Sequence, residues 1–411
     1  MTYDFGDLHS QLNSGELSHE DARKHLIGLV DASENEHDVS QHIHARSHAS
    51  GLFSTLVHKV DNLLPGVDKI EKLAAKHHVG NWVVVTRTGP GEDPKLEFEA
   101  MPIYARIGMH LLFYGKEEVR VLHMKEVEKL LKEQSIKEGT FYDNPKSVAS
   151  IPSFIATYKI NLDELKKKKI DEYGTFNEFF YRELDLANNP NLRPVDPKVN
   201  NELGICSAAD CRLTVFPTVE EAQKFWIKGS QFTIPNLLGD SEKASPFNGG
   251  SLAIFRLAPA DYHRFHSPID ATIGEIVDIP GQYYTVNPQA VNEPGFDVFS
   301  ANKRSVLYLT HKATGTPVAF VAIGALLVAS IAWTNGRKEA GEAVKTVNKG
   351  EELGYFAYGG STVVAVFPPG AVAFDEDLVK YSAGDYPKSE GPIETVVKVG
   401  NSLGQFKGAT V

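Results

Sequence analysis

Three clusters of chemically capable residues stand out in the second half of the chain. Ala208-Ala209-Asp210-Cys211-Arg212 places a carboxylate at the head of an apolar run. Asp261-Tyr262-His263-Arg264-Phe265-His266-Ser267-Pro268 carries two histidines three apart. Gly359-Gly360-Ser361-Thr362 sets two glycines and two hydroxyls ahead of another apolar run. Together they supply a carboxylate, an imidazole and a serine hydroxyl, in the chain order Asp, His, Ser. A serine hydroxyl is a weak nucleophile until a base takes its proton, and the best base is a histidine held in one tautomer by a carboxylate. Two glycines before Ser361 suit a strained or tight backbone in which a carbonyl can be exposed to attack. The G-x-S-x-G pattern of a nucleophile elbow is not met, because Val363 stands two places after the serine. On spacing alone the set reads as a hydrolase-like triad, and each cluster taken singly also reads as a structural turn.

Other residues suggest chemistry less well. Ten of the fifteen histidines fall in residues 1–78. His44 and His48 are four apart and would share a helix face near His42, but no carboxylate or cysteine completes a metal-ligand set, so no metal is expected. Cys206 and Cys211 are the two cysteines. They are too few for a structural zinc site and are expected to be reduced thiols. Lys166 to Lys169 form a basic run, read as a solvated helix face that could also rest on an anionic membrane.

The elements that must carry these residues divide the 411-residue chain at about residue 200. Before it the texture is helical. Residues 1–80 form a His-rich helical extension, and residues 81–200 a mostly helical region. That region has a strand over Asn81–Thr88, helices over Ile103–Tyr114, Lys116–Lys137 and Ser153–Tyr173, and a loop at Gly139–Ser150. After it, β-branched runs alternate with Gly, Pro and Asn turns: Leu213–Phe216, Leu252–Leu257, Thr272–Ile279, Ser305–Thr310, Val318–Ile323, Leu326–Trp333 and Thr362–Phe367. The expected class is α+β, with a mainly β core of barrel or sandwich type over 201–411. Val347–Phe356 resembles the Lys-Gly turn and following strand of lipoyl-type barrel-sandwich domains. Hydrophobic residues at 42% and charged residues at 23% exclude a mostly disordered chain. A net charge of −11 argues against nucleic acid as a partner. The longest apolar stretch, Val318–Trp333, falls short of the roughly 20 residues a membrane helix needs. With no signal peptide read at the N-terminus, the expectation is a protein on the cytoplasmic side, soluble or peripherally bound to endomembranes.

From about residue 100 onward the chain resembles the phosphatidylserine decarboxylases, in particular the eukaryotic type II group with its Gly-Gly-Ser-Thr self-cleavage site. The matching stretches are YARIGMHLLFYG (104–115), TFNEFFYREL (175–184), SAADCRLTVF (207–216), FWIKGSQFTI (225–234), GGSLAIFRLAPADYHRFHSPID (249–270), GQYYTVNPQAV (281–291), DVFSANKRSV (297–306), IGALLVASI (323–331) and ELGYFAYGGSTVVAVF (352–367). The resemblance implies a self-processing lyase, synthesised as a zymogen. Ser361 would attack the Gly360 carbonyl and become a covalent pyruvoyl group. The products would be a β chain, 1–360, and an α chain, 361–411, held together as a heterodimer. His266 matches the family's general base, Asp210 its orienting carboxylate, and His263 the histidine implicated in decarboxylation. The pyruvoyl group would replace pyridoxal phosphate as electron sink. The implied substrate is phosphatidylserine at an anionic membrane surface, and the product phosphatidylethanolamine, a step of phospholipid biosynthesis.

Two alternatives stay open at this point. Some relatives decarboxylate free amino acids, so a soluble enzyme acting on an aromatic amino acid is one. A protein of the same fold that binds but never cleaves is the other. The type II group often carries a C2 domain and calcium loops; residues 1–80 show neither pattern, which argues against recruitment by calcium.

Overall fold

The computed structural model describes residues 82–87, 95–99, 139–225, 227, 232–284, 286, 291, 297–325, 330–335, 345–357, 361–385 and 392–408. They belong to one compact unit made of 82–100 and 125–411. The His-rich region 1–80, with His42, His44 and His48, lies outside the described residues, as do the helices expected over 103–114 and 116–137.

The described strands are β1 (Trp82–Thr86), β2 (Lys95–Glu99), β3 (Gly204–Cys206), β4 (Cys211–Phe216), β5 (Ser251–Leu257), β6 (Arg264–His266), β7 (Ala271–Ile279), β8 (Arg304–His311), β9 (Pro317–Gly324), β10 (Ile331–Trp333), β11 (Thr346–Val347), β12 (Glu352–Phe356), β13 (Ser361–Phe367), β14 (Val372–Phe374), β15 (Glu394–Val397) and β16 (Ser402–Phe406). Ten of them make one sheet in the order β11-β7-β8-β9-β13-β5-β4-β15-β1-β2. Two three-stranded sheets, β10-β12-β6 and β14-β16-β3, accompany it. All pairings are antiparallel except β1 with β15.

Strand alternation explains how the three sheets share one core. Leu213, Val215, Phe255, Leu257, Val363, Ala365 and Phe367 from the large sheet join Phe265, Leu353 and Phe356 from the first small sheet. Ile205, Val372, Leu403 and Phe406 join them from the second. β13 is buried along its whole length on both faces, which is why its sequence is an unbroken apolar run rather than an alternating one. Two helices, α3 (Val219–Phe225) and α4 (Glu376–Ala383), pack on β4. The fold is α+β, as expected. Among the described residues, however, the sheets are open and none closes into a barrel: the large one ends at β11 and β2.

Between β2 and β3 in the chain stand α1 (Ile151–Tyr158) and α2 (Phe176–Phe180). Their aromatic rings gather around Phe154, which meets Phe176, Phe179 and Phe180 edge-on. Thr175 caps α2, its hydroxyl accepting from the Glu178 amide at 3.1 Å. The single helix expected over Ser153–Tyr173 is not found. α1 stops at Lys159, whose φ is 53°, and the chain then runs beside residues 183–184. Leu165 bridges Leu184, and the Lys166 amide donates to the Glu183 carbonyl at 2.9 Å. The lysine run is therefore partly neutralised: Lys166 pairs with Glu183 at 2.7 Å and Lys167 pairs with Glu178. Residues 145–150, expected as loop, form a 3-10 helix started by Asn144, whose side chain accepts from the Lys146 amide. Both cysteines are free and buried. Among the described residues, no helix is long and apolar enough to cross a membrane.

Candidate active site

Ser361 opens β13, between Leu257 of β5 and Gly324 of β9. It is fully buried, and its Oγ has no hydrogen-bond partner. By alternation it shares a sheet face with Val363 and Ala365, the face packed against β6 and β12. Gly359 and Gly360 lie outside the described residues.

β6 carries His266, and His263 immediately precedes the strand. β6 pairs with β12, and the Phe356 amide donates to the His263 carbonyl at 3.0 Å. His263 is thus tied to the last residue of β12, five positions before Ser361 in the chain. The His263 ring is wholly buried and lies 3.9 Å, centroid to centroid, from the Phe180 ring. Its Nδ1 is 2.9 Å from the Asp261 carbonyl oxygen, while Nε2 has no partner. A carbonyl can only accept, so Nδ1 carries the proton and Nε2 presents a bare lone pair. Burial, reinforced by the charges of Arg182 and Arg212, pushes this imidazole down to about 3 and keeps it neutral.

His266 is held at both ring nitrogens. Nδ1 donates to the Gly350 carbonyl at 2.8 Å, and Nε2 accepts from the Tyr262 hydroxyl at 3.2 Å. Burial lowers its pKa, against the opposing influence of the Gly350 carbonyl, Glu352 and Asp210. Burial also pushes the Tyr262 phenol well up, so it remains a proton donor. Gly350 belongs to the Lys-Gly turn read from the sequence as lipoyl-like. Lys349 in that turn is no exposed acceptor lysine. Its Nζ donates to the carbonyls of Val199, Asn201 and Gly204 at 2.9, 2.7 and 2.8 Å. The turn therefore ties His266 to the segment that leads into Asp210.

Asp210 follows β3 in the Ser207–Asp210 bend. The main chain brings this bend to the histidine, for the His266 amide donates to the Ala208 carbonyl at 2.7 Å. The side chains are linked differently from a hydrogen-bonded triad. Asp210 accepts from Arg193 Nε at 3.0 Å and Nη2 at 2.7 Å, and from the Val399 amide at 2.9 Å. Arg193 is further held by Glu164 at 2.9 Å. Asp210 and His266 interact through space rather than through a direct bond.

The family model for phosphatidylserine decarboxylase matches residues 176–405, more than half of the chain. The chain belongs to the phosphatidylserine decarboxylase family. It is 40% identical over 327 residues to phosphatidylserine decarboxylase proenzyme 3 of Schizosaccharomyces pombe, covering 80% of this chain and 32% of the relative. With phosphatidylserine decarboxylase proenzyme 2 of Oryza sativa it shares 45% identity over 315 residues, 76% of this chain and 46% of the relative. The Fusobacterium nucleatum phosphatidylserine decarboxylase proenzyme is 34% identical over 311 residues, 76% of this chain and 95% of the relative. The chain thus spans less than half the length of the fungal and plant relatives.

Within this decarboxylase family frame, the structure adds Arg193, Tyr262, Gly350, Phe180 and Arg182 to the residues singled out by sequence. Tyr262 lies within the histidine cluster, and its hydroxyl meets the candidate base. Arg193 carried no visible signal, since its partner is 17 residues away across a bend. Phe180 and Arg182 lay in the matching stretch TFNEFFYREL without a role attached. Among the described residues, no cluster of three or more His, Cys, Asp or Glu side chains is arranged to hold a metal.

Proposed function

We propose that the chain severs itself between Gly360 and Ser361 and then acts as a pyruvoyl-dependent decarboxylase of phosphatidylserine, yielding phosphatidylethanolamine and CO₂. The observation that carries this reading is the buried, unpartnered hydroxyl of Ser361 at the head of β13. An unsatisfied buried hydroxyl costs on the order of 1–3 kcal/mol and is retained where it has work to do.

In the self-cleavage, His266 Nε2 takes the Ser361 proton, displacing the Tyr262 hydroxyl that it now accepts from. Oγ bonds to the Gly360 carbonyl carbon and the Gly360–Ser361 peptide C–N bond breaks. His266 returns the proton to the departing nitrogen, leaving an ester. Loss of the residue 361 α-proton then expels Gly360 as a carboxylate and leaves dehydroalanine, whose hydrolysis releases ammonia and the ketone. Asp210 favours the protonated form of His266 through its charge. The β chain, 1–360, and the α chain, 361–411, remain together. Ser361 Oγ leaves with the Gly360 carboxylate and Cβ becomes the pyruvoyl methyl, an apolar group that suits an enclosed side-chain position with no hydrogen-bond partner.

The pyruvoyl carbonyl supplies an electrophile for the substrate amine and a sink for the electron pair left when CO₂ departs. His263 Nε2, a bare lone pair, is the atom that can take a proton from the substrate ammonium and return it to the substrate carbon once CO₂ has left. The names of the fungal, plant and bacterial relatives support the lipid substrate.

Two measurements test this. Intact-mass analysis of the purified protein should give two fragments, 1–360 and a shorter one blocked by a pyruvoyl group, and Ser361→Ala should give one unbroken 45.2 kDa chain. CO₂ release should occur from phosphatidylserine vesicles and not from free L-tryptophan or L-tyrosine. Unbroken wild-type protein, or release from the free amino acids alone, would overturn the assignment.

A further inference from the structure

We infer that Phe180 and Arg182, on and just after α2, are positioning residues for His263: the ring fixes the plane of the imidazole, and the guanidinium shares with it the Asp261 carbonyl that sets its tautomer. This rests on the reading above, in which His263 serves the substrate.

The geometry is specific. Arg182 is buried, and its guanidinium donates only to main-chain carbonyls: Phe180 at 3.3 Å, Ala260 at 2.9 Å and Asp261 at 3.0 Å. The Asp261 oxygen accepts at the same time from His263 Nδ1 at 2.9 Å. The Asp261 carboxylate faces another way, accepting from the Ala258 amide at 2.7 Å and from Arg212. Asp261 is thus clamped at both ends, and its carbonyl cannot swing from the imidazole. The Phe180 ring covers His263 at 3.9 Å with an interplanar angle of 36°. Rotation about χ2 that would exchange the two nitrogens meets this ring.

The charged groups facing His263 are Arg182 from the end of α2 and Arg212 from β4, both of which disfavour a second positive charge. Asp261, in the histidine's own turn, has its negative charge engaged by Arg212. The result is a neutral imidazole with Nδ1 protonated and Nε2 free. Two other buried histidines give the contrast. His266 has both nitrogens bonded, and so has His311, to Thr314 Oγ1 at 2.8 Å and the Glu202 carbonyl at 2.9 Å. A histidine that only braced its turn would be satisfied in the same way. His263 alone of the three keeps an open nitrogen, and a neighbouring guanidinium and ring hold it so.

The test uses the full chain carrying Ser361→Ala, so that every variant is compared unbroken, with ¹⁵N-histidine NMR across pH. His263 should appear as the Nδ1–H tautomer and remain neutral down to pH 5. Arg182→Met should admit the second tautomer and raise the His263 midpoint by at least about one unit. Phe180→Leu should broaden or mix the tautomers, and Arg182→Lys, which keeps the charge, should lie between wild type and Arg182→Met. In protein with Ser361 intact, Arg182→Met should lower kcat about tenfold or more, leave KM within about twofold, and move the acid limb of the pH profile upward. Unchanged His263 tautomer and titration in folded Arg182→Lys and Phe180→Leu proteins would overturn the inference, whatever the fate of Arg182→Met. If the imidazole responds as stated but wild type releases no CO₂ from phosphatidylserine vesicles, the functional reading fails and the positioning stands.

Discussion

Replacing Asp210 is the natural way to test its part in self-cleavage, but the structure makes that test ambiguous by itself. The carboxylate is bound by two nitrogens of Arg193 and by the Val399 amide, and the Arg193 and Asp210 side chains are 5% and 10% exposed. Asp210→Asn sets an amide N–H₂ among three donors, so at least one bond is lost and Arg193 keeps only Glu164 as an acidic partner. Removing one member of a buried ion pair costs about 3–5 kcal/mol, roughly 6–10 °C in Tm at about 2 °C per kcal/mol. Arg193→Met breaks the same pair from the other side and should cost about as much, yet it leaves the Asp210 charge beside His266. If that charge does the work, Arg193→Met should cleave within about threefold of wild type, while Asp210→Asn slows by about 100-fold or more. Melting is measured in the Ser361→Ala background, where all chains are unbroken, and cleavage by denaturing gel with Ser361 restored. Equal slowing in both variants, alongside equal losses in Tm, would refute the electrostatic role and make Asp210 a structural anchor.

Three further outcomes are expected. Stability of the Ser361→Ala chain should fall as pH drops from 6.5 toward 5: the unfolded chain takes up protons at its histidines near 6.5, whereas buried His263, at about 3, does not, and the lowered His266 and His311 take theirs up only at lower pH than in the unfolded chain. Each withheld proton costs about 1.4 kcal/mol per pH unit through that window; a flat Tm between pH 7 and 5 would contradict it. Gly354→Ala should leave little folded, cleaving protein, because a β-carbon there would fall 2.2 Å from the Ala332 carbonyl oxygen and 2.7 Å from the Phe265 ring, prying apart the sheet that carries the histidines; normal cleavage would show that this sheet yields more readily than argued. The two thiols should resist iodoacetamide at pH 7.5 until the chain is denatured, since burial pushes Cys206 up to about 12 and raises Cys211 as well; rapid native labelling would be the contrary result.

Much of the β framework was legible because burial on both faces writes a plain signal. Residues 252–257, 305–310, 318–323 and 362–367 are apolar runs bounded by turns, and each became a strand within a residue or so of its expected ends. The short strands were not legible. Gly204–Cys206, Arg264–His266 and Ser402–Phe406 mix small, charged and apolar residues, and they are strands by virtue of partners far along the chain. The helix expected over 153–173 failed for a related reason: Lys159 adopts a left-handed turn, and pairing near residue 184 outcompetes local helix propensity. At the site, residue types and order marked only three clusters, and the family resemblance picked out Asp210, His263, His266 and Ser361 within them. Sequence could not show that Arg193 occupies Asp210 or that Tyr262 meets His266, because those are bonds between side chains brought together only by tertiary packing.

β13 sits in the middle of the large sheet with a ladder on either side, and β15 is inserted between β4 and β1. Every one of these inserted strands lies downstream of residue 360. A nick there leaves the C-terminal piece dovetailed into the remainder, with no single edge along which it can peel away. Denaturation after the nick would scatter two molecules where one had been, and rebuilding them would become a dilution-sensitive encounter. Maturation would then be a ratchet: the working form persists by slow escape from its own weave rather than by an equilibrium it could re-enter.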